Sequence, residues 1–372
     1  MTVAFNAQLL VFSKDYRTTG IGLYIMNLLE GLHRAEFPMT IFSSDPNVEK
    51  VYSAFSHYVS SKRVRDPYIR ILWEQTVLPI LLQKSKTEVF HSPMHVLPMT
   101  LSKKISSVLT IHDLANFRYP QFYKGAKQKY LTTMTHLSAK KADRIIAVSE
   151  STKKDLVSIL GIKESKIDVV YNGLNLNIEV GHIDEEKIRR KLELPEEYIL
   201  FVGTMEPRKN IDGILSALLL LWKEKKESYN VVIAGPKGWL YSDTEKKIKE
   251  YQEIGQIMQT GYLSDEELVV VYKYAKLFVY PSFYEGFGFP ILEAMALGVP
   301  VICSETSSMP EVGGDAVEYV DPKSSAQIAE KISVIYKDSK MRAVMKKEGL
   351  KQSKLFSWIK SAEQTINVYN KL

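Results

Sequence analysis

The chain alternates short apolar runs with longer segments in which apolar residues recur every three or four positions. Runs rich in β-branched residues predict buried strands, and the segments between them predict amphipathic helices. Helices packed on mostly parallel sheets produce this alternation, so the sequence predicts an α/β fold. The predicted strands are residues 2–10, 39–44, 88–92, 106–113, 144–149, 167–173, 198–204, 229–235, 257–262, 277–282, 299–304 and 316–321. Helical patterns in the first half cover residues 20–33, 70–84 and 121–141.

The strand pattern lapses once, over residues 174–197, where charged residues gather around a short helical piece. A length of 372 residues also favours two domains over one. We therefore predict two doubly wound, Rossmann-like domains that face each other across a cleft. The N-terminal domain covers 1–180, the C-terminal domain 181–354, and a closing helix over 355–372 packs back toward the first domain. In such folds ligands bind at the carboxyl ends of the strands.

Two helix starts carry the pattern of a capping box, Ser264 with Glu267 and Ser324 with Gln327. They predict helices over residues 265–275 and 325–337. In the closing helix we expect the buried face to be formed by Phe356, Ile359, Ile366 and Tyr369.

Residues 279–305 carry the densest chemical pattern. Glu285 follows a predicted strand, Gly286 and Gly288 come next, and Glu293 lies eight residues after Glu285 inside a predicted helix. Glycines let the backbone approach a ligand closely, and a helix N-terminus favours an anion such as a diphosphate. Glu293 could accept hydrogen bonds from vicinal hydroxyls, such as those of a ribose. The alternative is that both carboxylates are solvated and the glycines only turn the chain.

Residues 201–210 repeat the order of strand, loop and helix. Arg208 and Lys209 bring two positive charges to the carboxyl end of the strand, and Asn210 is a suitable N-cap for a helix over 211–222. An arginine fork and a lysine ammonium both suit phosphate oxygens. The order of elements favours a phosphate site, although basic loop residues often serve only surface solvation.

Weaker candidates lie in the N-terminal half. Residues 19–22 include Gly20 and Gly22 at a helix start, which could cradle a phosphate, but no third glycine completes a dinucleotide fingerprint. His112 stands at the end of a predicted strand, where a lone histidine is more often structural than catalytic. His91 and His95 are weaker candidates still.

Several common chemistries are excluded by what the sequence lacks. Cys303 is the single cysteine, so no intramolecular disulfide forms, and no Cys and His cluster has zinc-ligand spacing. No Asp-x-Asp pair is present to hold a divalent metal on a nucleotide diphosphate. We expect no metal and no cofactor, with phosphate charge neutralised by Arg208, Lys209 and helix ends. The sequence also lacks Walker A, Gly-x-Ser-x-Gly and His-Glu-x-x-His patterns. Their absence disfavours NTPase, hydrolase and metalloprotease functions, respectively.

The charge of the chain is unevenly distributed. Residues 1–180 carry 23 Lys and Arg against 15 Asp and Glu, whereas residues 181–372 carry 26 against 28, which together give the net +6. A basic N-terminal domain favours contact with an anionic membrane surface over a nucleic acid, the alternative being a lysine-rich solvated surface. The longest apolar run, 213–222, is shorter than the roughly 20 residues that span a bilayer. We expect no signal peptide and a cytoplasmic protein, peripheral on the inner face of the inner membrane.

Seven motifs resemble, in their order along the chain, those of family 4 of the retaining glycosyltransferases. They lie at residues 18–24, 110–114, 148–156, 169–174, 201–210, 261–263 and 280–305. Their most specific part is the pair Glu285 and Glu293 within EGFGFPILEAMALGVPVI. Five short segments are most similar in sequence to the mannosyltransferase-type branch that builds bacterial surface polysaccharides. They are TGIGLY, LWEQ (72–75), HSP (91–93), IHDL and GTMEPRKN. The resemblance implies the GT-B fold.

The resemblance also implies roles for individual residues. Glu285 would contact the donor sugar, Glu293 would hold the nucleotide ribose, and His112 would lie beside the transferred sugar. We assign His112 and Glu285 to positioning and electrostatic support of the reaction. The implied donor-binding residues are Gly20, Gly22, Arg208, Lys209, Leu263, Glu285, Gly286, Phe287, Gly288 and Glu293. This sequence departs from many relatives at two positions. It has Thr204 where many relatives carry Arg, and Leu23 where many carry a basic residue.

The expected activity is retaining, metal-independent transfer of a hexose from a nucleotide diphosphate sugar to a hydroxyl of a glycan or lipid-linked glycan in O-antigen-type polysaccharide synthesis. GDP-mannose is the expected donor, with a UDP-hexose as the alternative. A sugar-nucleotide epimerase on the same fold and a non-catalytic nucleotide-sugar-binding subunit remain alternatives. A dehydrogenase is disfavoured by the missing third glycine and by the lack of an acidic residue about 20 positions after Gly22 at a strand end. Asp45, which follows Ser43 and Ser44, is the nearest candidate and keeps a dehydrogenase as a minor alternative.

Overall fold

The computed structural model describes residues 1–12, 20–123, 125–174, 183–238 and 242–372. The chain forms two compact units, of which unit 1 comprises Met1–Gly173 with Ser357–Leu372 and unit 2 comprises Leu174–Phe356. Each unit is a parallel sheet with helices packed on it, so the predicted α/β class is confirmed. Residue 19 of the glycine motif and residues 175–182 of the predicted linker lie outside the described residues.

The sheet of unit 1 has seven strands in the order β3-β2-β1-β4-β5-β6-β7, and all its neighbours are parallel. The strand order reverses between β1 and β4, which is where open α/β sheets bind ligands. The strands are β1 (Val3–Asn6), β2 (Met39–Ser43), β3 (Ser56–Val59), β4 (Val89–Ser92), β5 (Ser106–Ile111), β6 (Arg144–Ala147) and β7 (Ile167–Val169). The helices are α1 (Gly20–Arg34), α2 (Val48–Val51), α3 (Pro67–Lys84), α4 (Ala115–Arg118), α5 (Ala126–Lys141) and α6 (Glu150–Leu160).

Unit 2 has six strands in the order β10-β9-β8-β11-β12-β13, again parallel, and here the order reverses between β8 and β11. The strands are β8 (Ile199–Val202), β9 (Val231–Ala234), β10 (Ile257–Gly261), β11 (Leu277–Tyr280), β12 (Val301–Ser304) and β13 (Glu318–Val320). The helices are α7 (Glu185–Leu192), α8 (Ile211–Lys225), α9 (Ser242–Gln252), α10 (Asp265–Lys273), α11 (Phe289–Ala296), α12 (Met309–Gly313), α13 (Ser325–Lys337) and α14 (Ser339–Ser353).

The last helix, α15 (Trp358–Tyr369), belongs to unit 1 and packs along α1. A β-carbon on Gly31 of α1 would lie 2.7 Å from the carbonyl oxygen of Trp358 and 2.9 Å from the β-carbon of Ala362. The two helices therefore approach as closely as they do only because residue 31 has no side chain.

The buried face of α15 differs from the expected one. Its buried residues are Ser361, Ala362, Thr365, Val368 and Tyr369. Of the four residues in helical register, Tyr369 is buried and Ile359 is 50% exposed, while Phe356 precedes the helix and belongs to unit 2. Small residues at 361, 362 and 365 allow the close approach to α1 and carry no apolar signal in the sequence.

All predicted strands are present, shortened at their ends, but β3 was not predicted. It lies at the edge of its sheet and alternates exposed with half-buried residues, so it lacks the apolar run that marks a central strand. The predicted capping box of Ser264 and Glu267 is confirmed. The second is wrong: Ser324 accepts from the amide of Gln327, but the Gln327 side chain accepts from the amide of Asp321 instead.

Candidate active site

The loops that follow β8 and β11 meet where the strand order of unit 2 reverses. The β8 loop carries Arg208 and Lys209 in a short 3-10 turn, Pro207–Lys209, and the β11 loop carries Glu285. The amide of Phe283 donates to the carbonyl oxygen of Arg208 (2.9 Å). The side-chain amide of Asn210 donates to the carbonyl oxygen of Pro281 (2.9 Å). Asn210 also caps α8 by accepting from the amide of Gly213 (3.1 Å), as predicted. Backbone contacts thus fix the two loops to one another.

Glu285 is the centre of this arrangement and is only 7% exposed. Its Oε1 accepts from Lys209 Nζ (2.7 Å), Tyr280 Oη (2.9 Å) and Ser282 Oγ (2.7 Å). Its Oε2 lies 3.0 Å from Arg208 Nη1. Both carboxylate oxygens are therefore engaged, and the side chain is held in a single position.

The electrostatics of Glu285 follow from these contacts. Burial alone would raise the pKa of the carboxyl, but Arg208 and Lys209 outweigh it and hold the pKa at about 2. Burial lowers the pKa of Lys209, and the charge of Glu285 opposes that shift. Arg208 also pairs with Glu206, at 2.6 Å. Two cations and two carboxylates thus form a nearly neutral cluster, which the sequence did not predict for the basic pair.

Helix α11 begins directly after the β11 loop. Gly288 precedes it with a φ of 105°, a left-handed conformation that favours glycine. The hydroxyl of Ser308 donates to the carbonyl oxygens of Glu285 and Phe287, both at 2.9 Å, and so fixes the loop. The N-terminus of α11, with the partial positive charge of its dipole, therefore lies next to the ionised Glu285 loop.

Glu293 lies in α11, is 8% exposed, and accepts a hydrogen bond from Tyr272 Oη at 2.9 Å. Burial raises its pKa to about 7, although the hydrogen bond from Tyr272 opposes the shift. The two glutamates of the motif therefore differ, since the pKa of Glu285 is lowered by its cations and the pKa of Glu293 is raised by burial.

Leu263 is half-buried and follows β10, which ends at Gly261 in a left-handed conformation (φ 68°). The amide of Gly235, after β9, donates to the carbonyl oxygen of Gly261 (2.9 Å). Because β10, β9 and β8 are consecutive in the sheet, Leu263 lies at the same sheet edge as the β8 loop.

In unit 1, His112 comes directly after β5. Its Nε2 lies 2.9 Å from the carbonyl oxygen of Pro93, which can only accept, so Nε2 carries the proton and Nδ1 presents a lone pair. The backbone amide of His112 donates to His95 Nε2 (3.0 Å), and the His112 ring meets the ring of Tyr24 at 4.6 Å. Burial and the neighbouring His95 lower the pKa of His112 to about 4, so the ring is neutral at physiological pH.

The other N-terminal candidates are placed as follows. Gly20 and Gly22 are the first and third residues of α1; Gly20 is exposed and Gly22 buried. His91 is fully buried between Tyr369 Oη (2.7 Å) and Thr110 Oγ1 (2.8 Å), which makes it a structural residue. Asp45 forms an ion pair with Arg65 at 3.2 Å.

Sequence reasoning missed several residues that organise the site, namely Glu206, Tyr272, Tyr280, Ser282 and Ser308. Tyr280 and Ser282 flank the end of β11, where polar side chains after a buried strand were the available signal. Tyr272 and Ser308 lie on other elements, and no local spacing links them to the glutamates.

Within the described residues, no three His, Cys, Asp or Glu side chains are grouped so that they could hold a metal ion. None of the described helices has the length and hydropathy required to cross a bilayer.

Two parallel-sheet, Rossmann-like units with charged loops at the strand ends have the architecture of the GT-B glycosyltransferase fold. The family model for glycosyl transferases group 1 matches residues 184–352, and that for glycosyltransferase family 4 matches residues 18–178. O-antigen chain mannosyltransferase B of Escherichia coli is 36% identical over 297 residues, which cover 78% of this chain and 76% of that protein. The chain therefore belongs to the family 4 glycosyltransferases, and it is a hexosyltransferase of the O-antigen mannosyltransferase type.

Solved structures show the same fold at low identity. The sucrose-phosphate synthase of Thermosynechococcus elongatus superposes with a TM-score of 0.77 at 20% identity, covering 100% of this chain and 98% of that one. Alr3699/HepE of Anabaena, in complex with UDP and glucose, superposes with a TM-score of 0.73 at 16% identity, covering 100% of both chains.

Proposed function

We propose that the protein transfers mannose from GDP-mannose to a hydroxyl of a glycan or lipid-linked glycan, with retention of configuration and without a metal. The observation that carries this proposal is the ionised Glu285, held by Arg208 and Lys209 beside the N-terminus of α11. The relative named O-antigen chain mannosyltransferase B supports mannose as the sugar. A UDP-hexose is the alternative donor, since HepE is described with UDP and glucose.

In this proposal the donor binds along the strand ends of unit 2. The diphosphate lies at the N-terminus of α11 and takes hydrogen bonds from Arg208 and Lys209, which share their charge with Glu285. The backbone of residues 286–288 approaches the sugar and phosphates, and Leu263 lies beside the base. Glu293 holds the ribose, a role for which its ionised form is needed because a carboxylate accepts from both hydroxyls.

The proposed reaction proceeds on one face of the sugar. The bond from the anomeric carbon to the diphosphate oxygen breaks, a bond to the acceptor oxygen forms, and the acceptor proton passes to the departing phosphate. His112 is neutral and so serves as a hydrogen-bond acceptor for the sugar rather than as an acid. Glu285, tied to two cations, is a weak nucleophile and acts by electrostatic support.

A donor panel tests the proposal. Purified protein is incubated with GDP-mannose, UDP-glucose and UDP-galactose and with glycan acceptors, in EDTA, and the anomeric configuration of the product is read by NMR. We expect an α-mannoside from GDP-mannose, and a loss of turnover in His112→Ala and Glu285→Gln. Wild-type turnover in both variants would refute the assignment of these residues.

The same experiment separates the alternatives. A new sugar nucleotide without any glycoside would identify an epimerase. Tight donor binding without turnover on any acceptor would identify a non-catalytic subunit.

We also propose that unit 1 rests on an anionic membrane surface through the outward face of α3. Tyr68, Leu72 and Ile80 lie on this face and are 83%, 64% and 55% exposed. The turn Lys62–Arg65, which precedes α3, adds the basic side chains of Lys62 and Arg63, whereas Arg65 is paired with Asp45. Each basic residue near an anionic surface contributes up to about 1 kcal/mol, and the apolar side chains enter the headgroup region.

Vesicle co-sedimentation tests this contact. Binding to vesicles with an anionic lipid should exceed binding to zwitterionic vesicles, should fall with salt, and should weaken in Leu72→Ser. Val344→Ser is the matched control, because Val344 is 61% exposed on α14 of unit 2. Equal sedimentation with both vesicle types would leave the basic excess as a solvated surface.

A further inference from the structure

The sheet of unit 1 has its own reversal of strand order, between β1 and β4. A network of hydrogen-bonded polar side chains lies at this reversal. Asn6 ends β1 and is 2% exposed, and its Nδ2 donates to Glu74 Oε1 of α3 at 3.1 Å. The Asn6 Oδ1 accepts from the amide of Gln8 (3.3 Å), whose side-chain oxygen accepts from Ser60 Oγ (3.1 Å). The equivalent reversal in unit 2, between β8 and β11, carries the Glu285 cluster.

Unlike Glu285, Glu74 is not in direct contact with a cation among the described residues, and the nearby charge is that of Arg70. Glu74 is nine-tenths buried, and no ion pair to it is formed among the described residues. Burial raises the pKa of its carboxyl, opposed by the hydrogen bond from Asn6 and by the charge of Arg70. A glutamine could accept the same bond from Asn6 without burying a titratable group. Apart from the charge of Arg70, the packing of unit 1 gives no reason for a carboxyl at this position.

Buried polar atoms without a hydrogen-bond partner in this part of unit 1 also indicate a ligand. Gln8 is 2% exposed, and its Nε2 has no hydrogen-bond partner among the described residues; the same holds for the buried Ser44 Oγ after β2. A buried polar group without a partner costs about 1–3 kcal/mol. Donors and acceptors in excess at a strand-order reversal are suited to a molecule that offers many hydroxyl groups.

Glu74 belongs to the LWEQ segment, and the structure divides the functions of that segment. Leu72 faces outward on α3. Gln75 fixes the backbone of the loop after β4, donating to the carbonyl oxygen of Leu97 (3.2 Å) and accepting from the amide of Met99 (2.8 Å). Trp73 packs against the hydrophobic core of unit 1. Glu74 is then the member of the segment whose charge is not used in a direct ion pair with a described residue.

We propose that Glu74, supported by Asn6, binds hydroxyl groups of the acceptor glycan at the carboxyl end of β1. This inference rests on the proposed function, because it takes the acceptor to be a sugar. The carboxylate accepts from the acceptor hydroxyls and positions the sugar, while Asn6 keeps the carboxylate at the strand end.

The test is the steady-state kinetics of Glu74→Gln with the acceptor varied at saturating donor. We expect the acceptor KM to rise at least tenfold, while the donor Kd and the slow hydrolysis of donor by water stay within twofold of the wild type. The acceptor KM of Glu74→Asp, which keeps the charge on a shorter side chain, should lie between that of the wild type and that of Glu74→Gln. Glu49→Gln, at an exposed carboxyl of α2, is the matched control and should behave as the wild type.

An acceptor KM within twofold of the wild type in Glu74→Gln would overturn the inference, and so would an equal loss of donor affinity. A failure of the proposed function is distinguishable, since the wild type would then form no glycoside with any donor. Circular dichroism of Glu74→Gln verifies folding, which we expect to be retained because glutamine can still accept from Asn6.

Discussion

Replacing Glu293 by glutamine should stabilise unit 2 at alkaline pH and at the same time weaken donor binding. Burial raises the pKa of Glu293 from 4.5 to about 7. The folded state therefore holds a proton that the unfolded state releases between these two values. The stabilisation from that proton is complete below pH 4.5 and is lost as the pH rises through 7.

The magnitude follows from the shift. About 1.4 kcal/mol for each pKa unit gives roughly 3 kcal/mol between the acid and alkaline limits. Glu293→Gln is neutral at every pH and can still accept the hydrogen bond from Tyr272. Its free energy of unfolding should thus exceed that of the wild type by about 3 kcal/mol at pH 8 and by less than about 1 kcal/mol at pH 5.

Urea unfolding with pulsed hydrogen exchange, read on peptides of unit 2, measures this difference without assuming that both units unfold together. Glu266→Gln, at an exposed carboxyl of α10, serves as the control and should follow the wild type at both pH values. Donor affinity of Glu293→Gln should fall at pH 8, where the wild-type carboxyl is ionised. A stability difference that is the same at pH 5 and pH 8 would refute the reasoning.

Three further predictions concern other parts of the chain. Gly31→Ala should destabilise unit 1 by roughly 1–3 kcal/mol in chemical unfolding, because the added methyl meets α15, whereas Gly20→Ala, with nothing within 4 Å, should not. Ser264→Ala should lower the stability of unit 2 by about 1 kcal/mol through loss of the capping box of α10, and no change would mean that the cap contributes nothing. His112→Ala should reduce kcat without changing the shape of the rate profile from pH 6 to 9, since the pKa of His112 is about 4; an inflection that disappears in the variant would instead identify an acid or base.

The strand-end positions were predictable because they depend on local pattern. An apolar run followed by Gly, Arg or Glu predicts a strand and its loop, and this placed Arg208, Lys209 and Glu285 at one edge of the sheet. The ion pairs among them were not predictable, since residues 208 and 285 are brought together by the pairing of β8 with β11. The opposite pKa shifts of Glu285 and Glu293 depend on the same tertiary contacts.

Two misses have a similar cause. Strand β3 is held by the edge of a sheet rather than by its own hydrophobicity, so its sequence resembles a loop. The face of α15 was predicted from large apolar residues, whereas the close approach to Gly31 selects small ones. In both cases the deciding information belongs to a distant element.

The return of the chain to unit 1 has a consequence for biosynthesis. The strands of unit 1 precede unit 2 in the chain, but α15 is made only after the whole of Leu174–Phe356. Until then α1 lacks its partner helix, and the buried His91 lacks the Tyr369 hydroxyl. Unit 2 is contiguous and can complete its fold before α15 is available, so unit 1 is the later of the two to complete its packing during synthesis.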